Sequence, residues 1–145
     1  MTRLCPLGLA MIVLAALGSA DGAHEEEFVL IVNRSNQFDS LNRSKIGFIF
    51  LRKVSRWPWG AEAEPIDLTP HATARRWFSK QVLRTTEEQI DEYWIDQRAT
   101  RGVGPPVEAH DAAAAKRWVA ARPGGIAYIP TSALDSSVKA IRVDS

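Results

Sequence analysis

The chain has 145 residues, enough for one domain with a single core. Hydrophobic residues make up 46% and charged residues 24%, ordinary globular values. A net charge of +1, without a Lys/Arg run or an acidic tail, gives no electrostatic argument for nucleic acid or an anionic membrane surface.

The first charge, Arg3, is followed by an apolar run from Leu7 to Leu17 and then by Gly18-Ser19-Ala20. This charged, apolar, small-residue order predicts a signal peptide over residues 1–23, cleaved after Ala20 or after Ala23. A membrane anchor is the rival reading, but spanning takes about 20 apolar residues. The lone cysteine, Cys5, precedes the apolar run, so the expected mature domain, 24–145, carries no disulfide, thiol or lipid attachment site. A domain exported without disulfides points to the periplasm.

Phe28-Val29-Leu30-Ile31-Val32 is continuously apolar, as in a strand covered on both faces of a parallel or mixed sheet. A polar loop, Asn33 to Ser40, follows. Asn42 is expected to cap a helix from Arg43 to about Arg52, with Ile46, Ile49 and Phe50 on its buried face. Trp57-Pro58-Trp59-Gly60 closes this unit as a turn. The two tryptophans suit either the end of a core or a stacking surface.

Pro65 to Leu68 is the second expected strand. Thr69-Pro70 then reads as an N-cap with proline at the first helical position, opening a helix to about Leu83 whose face is Ala74, Phe78 and Val82. Thr86 with Gln89 predicts a capping box for a third helix. Its carboxylates Asp91, Glu92 and Asp96 read as a solvated face. Asp111 caps a fourth helix, stopped by Pro123-Gly124-Gly125. Ile126 to Ile129 and Val138 to Val143 are the remaining expected strands. The order β-α-β-α-α-α-β-β predicts a small three-layer α/β unit with a mixed sheet.

Four stretches, taken in order, resemble the substrate-binding proteins of phosphate-type ABC transporters, in short forms covering one lobe of the type 2 periplasmic binding protein fold. They are Val32 to Gly60, similar to "N-x-x-N … L-S … I-F-x-G … W-x-x-G"; Pro65 to Leu68 with the Arg75 to Phe78 helix behind it; Tyr93-Trp94 with Arg101 to Pro106, similar to "Y-W … G-x-G-x-P-P"; and Trp118 to Ile129, similar to "V-x-x-x-P-G-x-I-G-Y". The resemblance implies a periplasmic solute-binding role with phosphate or a related oxyanion as ligand, and half of a two-lobed site. Three departures stand out. Where the family enters its phosphate-gripping helix through Ser-Gly-Thr, this chain reads Leu68-Thr69-Pro70-His71-Ala72-Thr73. The glycine ending the first helix is Arg52, and Ile-Gly-Tyr is Ile126-Ala127-Tyr128.

Two groups are candidates for oxyanion contact. Thr69, His71 and Thr73 surround an expected helix start, where free N–H groups and the dipole favour an anion; the plainer reading is that Thr69 only caps its helix. Asn33, Arg34, Ser35 and Asn36 follow the C-terminal end of a strand, where open α/β sheets place ligands, and Arg34 offers a bidentate grip; the plainer reading is a loop bonding its own backbone. His24, His71 and His110 lack metal-ligand spacing, no cofactor is expected, and no nucleophile elbow or catalytic carboxylate pair is present. Two functions therefore remain open. One is oxyanion binding for an ABC transporter. The other is an envelope accessory protein that has lost the ligand site and pairs with a second copy or another envelope protein.

Overall fold

A computed structural model describes residues 26–145; the expected signal peptide lies outside the described residues. Six strands form one sheet: β1 (Phe28–Val32), β2 (Ser40–Asn42), β3 (Glu64–Leu68), β4 (Val107–Ala109), β5 (Gly125–Pro130) and β6 (Lys139–Asp144), in the order β2-β6-β1-β5-β3-β4. The helices are α1 (Arg43–Phe50), α2 (Thr73–Phe78), α3 (Glu87–Arg101) and α4 (Ala112–Ala120). β2 and β4, three residues each, add to the strands expected from sequence. Both are edge strands too short to show an alternating pattern.

The sheet is mixed in a particular way. β1 is antiparallel to both neighbours, β5 and β6, while β2 pairs parallel to β6 and β3 pairs parallel to β5 and β4. Five strands thus run one way and β1 alone runs the other. The continuous apolar character of β1 fits its central place; Leu30, Ile31 and Val32 are buried.

The steps from β3 to β4 and from β4 to β5 go in opposite directions across the sheet. Right-handed crossovers then place α2 and α3 on one face and α4 on the other. On the first face, Tyr128 of β5 stacks on Phe78 at 4.2 Å between centroids, and Phe50 of α1 meets Phe78 at 4.5 Å. On the second, Ala115 and Val119 of α4 are fully buried against the sheet.

Most local signals act as expected. Asn42 accepts from Ser44 N, Asp111 from Ala114 N, and Thr86 with Gln89 forms a complete capping box. The expected cap at Thr69-Pro70 does not form. The helix starts at Thr73, its N-cap is Ala72, and no side chain caps it. Residues 69–72 instead make a β-turn closed by Ala72 N donating to Thr69 O at 3.2 Å, with Pro70 second and His71 third at φ 65°. Proline second and a positive φ third is the type II pattern. A glycine would be at ease at His71; the imidazole is held there by Glu87, whose carboxylate accepts from His71 N at 3.3 Å and meets Nδ1 at 3.1 Å. The expected long helix also changes pitch, passing from α2 into a π-helical segment, Ser79–Leu83.

Pro123-Gly124-Gly125 does more than stop α4. The side chain of the buried Trp57 donates from Nε1 to Gly124 O at 2.9 Å, and Glu64 N donates to the same oxygen at 2.9 Å. This draws two backbones together so closely that a Cβ on Gly124 would lie 1.7 Å from Glu62 O. Gly124→Ala is therefore expected to cost about 3 kcal/mol or more in chemical denaturation. A loss under about 0.5 kcal/mol, as at an ordinary surface position, would contradict this packing.

Candidate functional site

Because β1 is reversed, the two candidate groups sit at opposite ends of the sheet. Phe28 pairs with Pro130 and Val32 with Ile126, so the end of β1 lies beside the start of β5. Asn33 to Asn36 therefore occupy the end where the other five strands begin. Thr69 to Thr73 follow β3 at the end where those strands finish. One small ligand cannot touch both groups.

All the Asn33 to Asn36 side chains make bonds within the chain, and one buried donor, Asn36 Nδ2, is left over. Asn33 Nδ2 donates to Val119 O at 2.9 Å and Ala120 O at 3.1 Å, adding donors to carbonyls at the C-terminal end of α4. Its Oδ1 accepts from Ser35 N and Ser35 Oγ. Arg34 Nη1 donates to Ser136 O. Asn36 is buried and accepts from Phe38 N, while its Nδ2 has no partner.

At the other end a cavity of about 230 Å³ opens between β3, α2 and the start of α4. At roughly 30 Å³ per heavy atom, the liquid volume of a water, it holds a five-atom oxyanion and a water or two. Thr69 and Thr73 line it with His110, Asp111, Glu26 and Pro130. His71 does not line it; its ring is exposed and faces Glu87. Asp111 caps α4 with Oδ1 2.7 Å from Ala114 N and lies 3.3 Å from His110 Nε2. The bond from the Ala114 N–H holds the Asp111 carboxyl below its usual range.

Beside this cavity lies a polar cluster that the sequence reading left unassembled. Asp67 of β3 accepts from Tyr128 Oη and, at 3.0 Å, from Leu68 N, which also approaches Tyr128 Oη at 3.2 Å. Arg75 Nη1 of α2 donates to Leu68 O at 2.8 Å and to Glu108 of β4 at 3.1 Å, and its Nη2 lies 3.8 Å from Asp67. Arg75 is buried, and its charge is balanced by two carboxylates. The signal available was Asp67 itself, a charge inside the apolar strand Pro-Ile-Asp-Leu, which needs a buried partner. Among the described residues no group of three or more His, Cys, Asp or Glu is arranged to hold a metal ion.

Burial pushes the Asp67 carboxyl up, against the opposing pull of Arg75 and the Tyr128 bond; burial likewise raises the Tyr128 phenol. The folded chain thus holds the Asp67 proton to higher pH than the unfolded chain does. Its contribution to stability is complete below the unfolded value of about 3.9 and is lost as pH rises through the folded-state pKa. Asp67→Asn should lack this component: denaturation curves measured from about pH 3 to 7 should show stability falling less with rising pH in the variant than in the wild type. Parallel pH profiles would contradict the assignment.

No protein-family model matches the chain. No curated protein sequence matches it either. Its fold does match solved structures. An ABC-type phosphate transport receptor from Vibrio cholerae superposes with a TM-score of 0.64 at 17% identity, over 80% of this chain and 45% of the receptor. A protein from Clostridium perfringens assigned as a phosphate ABC transporter substrate-binding protein, with phosphate bound, superposes with a TM-score of 0.67 at 20% identity, over 82% of this chain and 45% of its own. PstS from Borrelia burgdorferi gives 0.63 at 13% identity, over 83% and 48%. The chain spans less than half the length of each. It has the fold of one lobe of the phosphate-transport substrate-binding proteins.

Proposed function

We propose that this protein is a periplasmic substrate-binding component of an ABC transporter and takes phosphate or a related oxyanion in the cavity between the Thr69 to Thr73 turn and the start of α4. The supporting observation is position. The cavity lies at the carboxyl ends of β3, β4 and β5, where α/β sheets of this type hold ligands. The start of α2 has no side-chain cap, so its first N–H groups remain available, and Thr69 and Thr73 add hydroxyl donors. His110 supplies positive charge when protonated. His71 contributes by holding the turn through Glu87. Asn33, Arg34, Ser35 and Asn36 are at most a separate, second oxyanion contact at the far end. Residues 1–23 act as the export signal, and the role is binding without catalysis.

A specific observation favours a second reading, an envelope accessory protein that no longer binds a transport ligand. The cavity carries Glu26 and Asp111, and the nearby guanidinium of Arg75 is neutralised by Asp67 and Glu108. Under that reading a second copy or another envelope protein covers this face. Among the described residues no helix is long and apolar enough to cross a membrane.

Calorimetric titration with phosphate and sulfate separates the two. Asn caps helices as well as Asp does, so Asp111→Asn keeps the α4 cap and removes a like charge from the cavity. It should tighten phosphate binding by roughly three- to tenfold, and Thr73→Val should weaken it by a similar factor. No heat from either anion with the wild type and with Asp111→Asn would remove the oxyanion reading and leave the accessory one.

A further inference from the structure

A second cavity of about 320 Å³ lies at the opposite end of the molecule, between α1 and the Trp57-Pro58 turn. Its walls are apolar. Phe48 and Ile49 come from α1, Phe38 from the approach to β2, Leu41 from β2 itself, and Val54 and Trp57 from the segment after α1. Phe48 is 43% exposed and Val54 40%, so two large apolar side chains stand open on one surface. Trp57 and Trp59 stack at 4.9 Å, and Phe38 lies 6.3 Å from Trp57, so the aromatic wall is held by its own contacts.

The charge at this cavity is of one sign. Lys45 and Arg56 line it, and no carboxylate does. Among the described residues neither has an ion-pair partner. Arg56 Nη1 donates to Gly60 O at 2.9 Å, which fixes the guanidinium and leaves most of its five donors unused. Asp39, next to Phe38 in the chain, is held by Lys139 at 2.8 Å. An apolar cleft flanked by two unpaired cations complements a molecule with an apolar body and one negative end. At roughly 30 Å³ per heavy atom the volume suits about ten non-hydrogen atoms.

We infer that this cleft binds a free medium-chain carboxylate, with the alkyl chain between Phe48, Val54 and Trp57 and the carboxylate on Lys45 and Arg56. The site is independent of the oxyanion cavity, which lies at the other end of the strands. Octanoate, with ten non-hydrogen atoms, is the probe; octanol keeps the chain without the charge, and acetate keeps the charge without the chain. In calorimetry on the full chain, octanoate should bind about tenfold more tightly than octanol, the combined effect of two exposed charge contacts, and acetate should give no signal. Lys45→Gln with Arg56→Gln should abolish the preference for octanoate and leave octanol affinity within about twofold. Phe48→Asp, at an exposed position, should weaken both. Equal binding of octanoate and octanol to the wild type would overturn the proposal. So would no binding of octanoate, or a double variant that binds it unchanged. A dimer in sedimentation that Phe48→Asp dissociates and octanoate does not would show that a second copy covers this face, and would also overturn it.

Discussion

Asp67, largely enclosed in the third strand, is the constraint on which the end of the sheet depends. A carboxylate placed there must be compensated, and it is compensated from three directions: the Tyr128 hydroxyl from the neighbouring strand, the Leu68 N–H from its own strand, and Arg75 from the helix that follows. Arg75 in turn reaches Leu68 O and Glu108 on the edge strand. The cluster joins β3, β4, β5 and α2 and fixes where the helix begins. Removing Arg75 would leave the enclosed Asp67 carboxylate without a counter-charge, held only by the Tyr128 and Leu68 donors; breaking a buried pair in this way costs about 3–5 kcal/mol. The same arrangement sets the charge of the adjacent cavity. A guanidinium that would attract an anion is already balanced, so an oxyanion bound under the proposed function would be held by backbone N–H groups, threonine hydroxyls and His110.

The direction of β1 governs the rest of the functional geometry. A rule about the carboxyl ends of strands assumes that the strands run together, and β1 is the one that does not. Its continuous apolar run identifies a doubly covered strand correctly but carries no information about direction. The expectation of a ligand at Asn33 to Asn36 rested on that unread direction. Direction is fixed by pairing with β5 and β6, which lie about a hundred residues away in the chain.

Signals confined to a few residues were readable from sequence. The caps at Asn42, Thr86 and Asp111 form because a side chain satisfies N–H groups two or three residues ahead, a relation written wholly in local spacing. The Thr69-Pro70 signal was equally local but fitted two structures, a helix start and a turn, and the contact with Glu87 sixteen residues later decided for the turn. Arg52 adopts φ 56° just after α1, a left-handed position of the kind that glycine favours at a helix end. The close approach at Gly124 depends on Trp57 in the loop after α1 and on Glu64 at the start of β3, both distant in the chain.

The central claim is that the cavity at the end of β3 and the start of α4 receives an oxyanion. Amide chemical shifts of the labelled protein, followed during titration with phosphate, test it most directly. The account predicts saturable changes concentrated at Thr69 to Ala74 and at His110 to Ala112, with the amides of Asn33 to Asn36 unmoved. Changes confined to Asn33 to Asn36, or no saturable change at all, would contradict it.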